Sequence, residues 1–152
     1  MIEYTVKVDN GTKSWFLNGK KHREDGPAIE YANGYKAWYI NGELHREDGP
    51  AIEYSDGDKY WFINGERHRE DGPAIEYANG NKEWHLNGKC HREDGPAIEL
   101  SNGEKYWYLD DVQYTEEEHY NKLNPKAKEL TMEELVKELG YNVKIVEGGQ
   151  YD

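Results

Sequence analysis

Tryptophan stands at positions 15, 38, 61, 84 and 107, one every 23 residues, and the neighbouring apolar and polar positions keep the same beat. Two residues after each comes an aliphatic side chain, Leu17, Ile40, Ile63, Leu86 or Leu109, and two before each a lysine, Lys13, Lys36, Lys59, Lys82 or Lys105. Alternation with a period of two predicts strands. Turn residues punctuate them as regularly. Asn-Gly or Asp-Gly occurs at Asn10-Gly11, Asn33-Gly34, Asp56-Gly57, Asn79-Gly80 and Asn102-Gly103, and a second series follows at Asn18-Gly19, Asn41-Gly42, Asn64-Gly65 and Asn87-Gly88. Both dipeptides tolerate the positive φ of tight hairpins. Each unit therefore reads as two strands, one through "PAIEY" and one through "YKAWYI". On the first, Ile29 and Tyr31 share a face. On the second, Lys36, Trp38 and Ile40 share one while Tyr35, Ala37 and Tyr39 point the other way.

The pattern decays where Asp110-Asp111 replaces Asn-Gly and Tyr114 replaces a histidine, so the repeat array covers residues 1–114 with an incomplete first unit. The remainder, 115–152, differs in kind. Thr115-Glu116-Glu117-Glu118 and Thr131-Met132-Glu133-Glu134 are capping boxes. Met132, Leu135, Val136 and Leu139 follow helical spacing, Gly140 suits a C-cap, and "YNVKIV" reads as a short strand. The expected fold is mainly β: antiparallel hairpin repeats in one elongated twisted sheet, its last edge covered by a small α/β cap.

Composition makes that sheet thin. Mean hydropathy is -1.14, and the apolar content is dominated by 13 Tyr and 5 Trp against 2 Phe, rings suited to half-buried positions. A net charge of -12 disfavours direct nucleic-acid binding and a membrane surface, and steers the chain toward basic protein surfaces. Cys90 is the only cysteine, so no internal disulfide forms and a reducing cytoplasm is the expected home. The N-terminus shows no signal-peptide pattern, and no apolar run is long enough to span a bilayer.

The segment "HREDGPAIE" begins at His22, His45, His68 and His91. In a coil with one strand per repeat, like charges would lie about 4.8 Å apart and repel by roughly 3 kcal/mol. A hairpin meander doubles the spacing to about 10 Å, which favours hairpins. Asp-Gly-Pro reads as a bend, with glycine supplying an unusual φ, Arg pairing with Glu, and His packing on a neighbouring Trp. Catalysis would need titratable groups in distinct environments within one closed pocket, and equivalent copies on an open sheet offer neither, so no enzyme activity, metal or cofactor is expected. Cys90 fills a slot held elsewhere by Lys21, Leu44 and Arg67, which reads as a surface substitution.

The unit "W-x-[IL]-N-G-x-x-H-R-E-D-G-P-A-I-E-[YL]" at a 23-residue period resembles the MORN repeat, in particular the MORN-like variants of bacterial and bacteriophage proteins, with Arg where the usual pattern has Gly after the His. The resemblance covers about three quarters of the chain. It implies a row of β-hairpins used for protein or membrane contact, without chemistry of its own, in a phage or bacterial setting.

The Trp-facing positions are nearly constant, which suits units stacking with each Lys stem over an indole. The opposite face varies: Thr12, Tyr35, Asp58, Asn81 and Glu104 three before each Trp, Ser14, Ala37, Tyr60, Glu83 and Tyr106 one before, Phe16, Tyr39, Phe62, His85 and Tyr108 one after. The expected function is a non-enzymatic protein-binding module, in its sharpest form a phage or bacterial inhibitor that presses an acidic, Tyr-rich face onto a basic surface of a host defence or nucleic-acid-processing protein. Tyr35, Tyr39, Asp58, Tyr60, Phe62, Glu83, His85, Glu104, Tyr106 and Tyr108 would make that contact. The alternative is a sponge for a small anionic ligand, such as a nucleotide signal, held by His22, Arg23, His45, Arg46, His68, Arg69, His91 and Arg92. Self-association through a sheet edge or face is the other partner the pattern admits.

Overall fold

Turn chemistry sets the path of the chain, and the computed structural model, which describes residues 3–125 and 132–139, contains two kinds of reversal. At Asn10-Gly11, Asn18-Gly19, Asn41-Gly42, Asn64-Gly65 and Asn87-Gly88 both residues are left-handed, with φ of 48–52° for Asn and 76–91° for Gly. These are two-residue hairpin turns whose twist matches the strands they join. At Asn33-Gly34, Asp56-Gly57, Asn79-Gly80 and Asn102-Gly103 only the glycine is left-handed, with φ of 92–103°. There the Tyr31 N–H donates to the Tyr35 carbonyl (2.9 Å) and the Gly34 N–H to the Tyr31 carbonyl (3.0 Å), closing a three-residue loop. Asn33 Oδ1 accepts the Tyr35 N–H at 3.0 Å. One dipeptide thus serves two turns, and the number of residues between strand ends decides which.

The strands Ile29–Glu30, Ile52–Glu53, Ile75–Glu76 and Ile98–Glu99 alternate with Lys36–Ala37, Lys59–Tyr60, Lys82–Glu83 and Lys105–Leu109. With Thr5–Asp9, Thr12–Leu17 and Lys20–Lys21 at one end and Val112–Tyr114 at the other they form one open antiparallel sheet of 12 strands. Beyond each internal Trp the chain continues into a short hairpin of its own: Tyr39–Ile40 with Glu43–Leu44, Phe62–Ile63 with Glu66–Arg67, His85–Leu86 with Lys89–Cys90. The tryptophan backbone joins sheet to hairpin. Trp38 donates its N–H to the Ala51 carbonyl (2.8 Å) and accepts the His45 N–H (3.1 Å). Neighbouring hairpins are tied by Gly42 N–H to Lys21 O (2.8 Å) and Arg23 N–H to Tyr39 O (3.0 Å), bonds that recur in the next units.

Register sorts the side chains into two rows. Cross-strand partners run Lys13, Glu30, Lys36, Glu53, Lys59, Glu76, Lys82, Glu99, Lys105, so every lysine on the tryptophan side sits opposite glutamate and no like charges face each other. The other row runs Ser14, Ile29, Ala37, Ile52, Tyr60, Ile75, Glu83, Ile98, Tyr106. This side carries the core: Ile29, Ala37 and Ile52 are buried, and Tyr35, Tyr39, Leu44, Tyr60 and Phe62 pack against them. Ala28, Ala51, Ala74 and Ala97 are closed off completely beside each Trp strand, where the short side chain lets backbones pair closely. The tryptophans, expected to pack unit on unit, are only half-buried.

At the C-terminal end Thr115 caps the helix Glu116–Leu123 in a full capping box with Glu118. That helix packs on Lys105–Leu109 and Val112–Tyr114, covering the end of the sheet. His119 is its one buried residue, and its Nε2 lies 2.7 Å from the Arg92 carbonyl. A second helix spans Met132–Leu139. Thr131, Gly140 and the strand expected over 141–146 lie outside the described residues. Among the described residues no helix is long and apolar enough to cross a membrane.

Candidate functional site

The repeated His-Arg-Glu-Asp-Gly-Pro loops line one flank of the tryptophan side, and the arginine organises each. Arg23 Cζ lies 4.1 Å from the centre of the Trp15 ring, and Arg46, Arg69 and Arg92 lie 4.0–4.2 Å from Trp38, Trp61 and Trp84. Arginine, not the expected lysine, covers the indole; the lysines of that row are exposed. Arg23 Nε donates to Asp25 (2.8 Å), and Nη1 to the Pro27 carbonyl and to Glu30 (both 3.2 Å). The other three arginines repeat every bond within 0.2 Å. A planar guanidinium can stack with its face and bond with its rim at once.

This geometry corrects the reading of the glycine in the bend. Gly26, Gly49, Gly72 and Gly95 are absent from the left-handed region. A Cβ there would instead sit 2.9–3.0 Å from the arginine Cζ, so glycine leaves room for the stacked guanidinium.

With the arginines folded inward, the carboxylates beside them face water. Glu24, Asp25, Glu47, Asp48, Glu70, Asp71, Glu93 and Asp94 have side chains 65–86% exposed, against 20–23% for the four arginines. Between consecutive loops lie open grooves. One runs between residues 69–73 and 91–94 over Trp84 and Leu86, the next between 46–50 and 68–71 over Trp61 and Ile63, the third between 23–26 and 45–48 over Trp38 and Ile40. Their volumes are about 770, 760 and 700 Å3, room for a long side chain with its water. A partial groove closes the row at Tyr4, Val6 and Trp15.

The histidines act as latches between units. The Asn41 N–H donates to His22 Nδ1 (3.0 Å), and Asn64, Asn87 and Asp110 do the same for His45, His68 and His91 at 3.2 Å. The same Nδ1 also lies 2.9–3.1 Å from the side-chain oxygen of that Asn or Asp, so backbone and side chain of the next unit's turn both meet the ring. Nε2 lies 3.6–3.7 Å from the glutamate two residues on. Among the described residues no group of three or more His, Cys, Asp or Glu is placed to hold a metal.

On the opposite side a tilted row of rings joins Tyr31, Tyr35, Tyr54, Tyr60 and Tyr77 at centroid separations of 5.0–5.9 Å. Tyr31 and Tyr54 are its exposed members; Tyr35, Tyr39, Tyr60, Phe62, Tyr106 and Tyr108 are half-buried. The row ends in a polar trio, with the Tyr77 hydroxyl donating to Glu83 Oε1 (3.0 Å) and His85 Nε2 3.0 Å from Glu83 Oε2. His85 is buried. Asp58 accepts the Ala78 N–H (2.7 Å), and Glu104 accepts from the Asn102 side-chain amide (3.0 Å). The acidic residues named for this face therefore bond within the fold. Cys90, read as a surface substitution, is buried opposite His85, and burial pushes its thiol up to about 12.

The four latches, the Arg–Trp stacks and the His119 contact went unseen in the sequence. The 23-residue recurrence of Arg with Trp carried the signal for the stacks, because a cation repeating in step with an indole is a partner for it. No family model matches the chain, and no curated protein is significantly similar to it.

The titrations predict a two-sided pH profile. Hydrogen bonds from Arg23, Arg46, Arg69 and Arg92 hold the carboxyls of Asp25, Asp48, Asp71 and Asp94 below their ordinary 3.8, and the His85 bond lowers Glu83 despite its burial. These groups stabilise the fold above the unfolded carboxylate range, and the contribution is lost as pH falls through the lowered values. Burial raises Tyr35 to about 12 and also raises Tyr39, Tyr60 and Tyr77 above 10.0. Their contribution is complete below 10.0 and is lost as pH rises toward about 12. From these groups the melting temperature should fall as pH drops into the lowered carboxylate range and fall again as pH rises above 10.0. In an ultraviolet tyrosinate titration at least these four of the 13 tyrosines should ionise late. All 13 ionising together near 10.0 while the chain stays folded would contradict the packing of the ring row.

Proposed function

We propose that the chain is a non-enzymatic binding module that presents its row of outward carboxylates to a basic surface of a protein partner. One observation carries this reading: in each loop the cation is folded back onto tryptophan while the two acids beside it point into water. Over the four loops eight carboxylates stand against four engaged guanidiniums, and the net charge of -12 adds long-range attraction for a basic partner. The same engagement weighs against capture of a small anion by the arginines, since Nε and Nη1 are already donating and carboxylates flank them. The likeness to MORN-like repeats of bacterial and phage proteins adds a setting, an inhibitor that occupies the phosphate-binding surface of a host defence or nucleic-acid enzyme.

Affinity capture from a bacterial lysate with the full chain tests the reading. The quadruple reversal Glu24→Lys, Glu47→Lys, Glu70→Lys and Glu93→Lys should release basic proteins retained by the unaltered chain, and raised salt should do the same. An identical set of retained proteins for both chains would reject it.

A further inference from the structure

The grooves recur with a fixed step, and that step has a counterpart in polypeptide geometry. Each unit adds two strands to the sheet, so successive grooves lie about 9.4–9.8 Å apart, twice the strand spacing. Each has a floor of indole, stacked on one loop arginine, with an aliphatic side chain beside it; two arginines and a histidine line its walls, and four glutamate and aspartate carboxylates from the loops on either side outnumber them at the rim. Apolar floor and anionic rim together suit the long stem and charged head of lysine or arginine.

We propose that the groove row takes a polyproline-II segment of a partner protein carrying Lys or Arg at every third residue, one cation per groove. The inference rests on the reading that the carboxylate row binds basic protein, and adds the conformation and register of the ligand. Polyproline II rises about 9.3 Å over its three-residue turn, returning a side chain to the same face at nearly the groove spacing. A β-strand covers a similar distance in three residues but points i and i+3 to opposite faces. An α-helix returns after seven residues and about 10.5 Å, overshooting the groove step by roughly 1 Å and drifting ~20° off the same face each time, and both mismatches accumulate over successive grooves. A cation-rich segment repels itself into an extended state beforehand, which lowers the ordering cost of binding.

The test is isothermal titration of the full chain with three synthetic peptides of equal charge: repeated Lys-Pro-Pro, an isomer of the same composition with its lysines contiguous, and an alanine-rich helix with lysine at every seventh residue. The Lys-Pro-Pro peptide should bind about tenfold tighter than either other peptide and should change tryptophan emission. In the triple variant Glu47→Gln, Glu70→Gln and Glu93→Gln that preference should disappear, because the groove rims lose their charge; these acids are 71–86% exposed and lie 3.7 Å from the histidine two residues before, so the change costs the fold little. Circular dichroism checks that the variant remains folded. Equal affinity for the two isomers, or tighter binding of the helix, overturns the register claim while leaving the carboxylate-row reading in place. Failure of every peptide to bind, with charge reversal still releasing proteins from the lysate capture, likewise overturns only the groove assignment. Failure of both measurements removes both.

Discussion

Replacing Ile75 with alanine should destabilise the array by about 3 kcal/mol, with a range of roughly 2–5 kcal/mol for such truncations. Among the described residues Ile75 is the largest side chain that is fully closed off, and it lies between cross-strand partners Tyr60 and Glu83 in the middle of the sheet. A sheet one layer thick has few neighbours able to move into the hole. Glu83 beside it is partly held by Tyr77 and His85, so collapse toward the gap would break those bonds. Ile98, the equivalent residue one unit on, is only half-buried, and Ile98→Ala should cost about half as much. Because each unit touches only its neighbours, a central gap should also weaken coupling between the two ends and broaden the transition. Urea unfolding followed by tryptophan fluorescence reads midpoint and slope together. An Ile98→Ala variant that loses as much as Ile75→Ala would contradict the burial gradient along the row.

Much of the architecture was legible because it is written in backbone chemistry. Asn-Gly spacing and period-two alternation report dihedral preferences, which act locally, and they located the hairpins and their order. Less legible was which side of the sheet holds the core. Alternation separates two faces but does not name the inner one, and tryptophans repeated in every unit opposite varying tyrosines suggested units stacking through the tryptophan side, whereas the buried cluster lies on the other. Register decides it, because pairing sets isoleucine against alanine and tyrosine on one side and lysine against glutamate on the other. Cross-strand register joins residues across both kinds of connection, such as Ile29 with Ala37 and Ala37 with Ile52, and reading it needs the loop length as well as the turn dipeptide. The two Asn-Gly series illustrate this: the same letters close a two-residue turn at Asn41-Gly42 and a three-residue loop at Asn33-Gly34. Candidate site residues divided the same way. An Arg–Glu pairing along or across strands was foreseeable, and Arg23 does bond Glu30 on the following strand, but inside the loop its partner is Asp25 while Glu24 faces water. The stack on Trp and the latch to the next unit's Asn-Gly turn are tertiary. Asp110-Asp111 shows the turn overriding composition. Both residues take positive φ, 50° and 67°, and the Asp111 carboxylate accepts the Cys90 N–H at 2.8 Å, a bond glycine could not make.

The Arg69–Gly72 pair carries the second large effect and tests why the motif holds its letters together. Arg69→Ala should cost about 2–3 kcal/mol, combining loss of the indole stack with loss of charge-assisted bonds to Pro73 and Glu76. Gly72→Ala should cost about 1–3 kcal/mol for a different reason: its Cβ would stand 2.9 Å from Arg69 Cζ, and the ring of Trp61 behind the guanidinium blocks retreat. The double variant separates space from backbone conformation. With the guanidinium removed the three atoms nearest the added methyl are gone, so most of the cost of Gly72→Ala should vanish and the pair should couple by at least about 1 kcal/mol. Were glycine kept for its dihedral freedom, alanine would cost the same in both backgrounds and the effects would add. Thermal unfolding of the four chains in the cycle decides between them. Arg69→Lys sharpens the test, because a lysine keeps the charge but cannot stack flat and donate from its rim at once, and it should recover only a small part of the loss. A unit that needs arginine for the stack, glycine to admit it, and aspartate and glutamate to hold its edge cannot vary one letter without the others, so "HREDGP" recurs as a block.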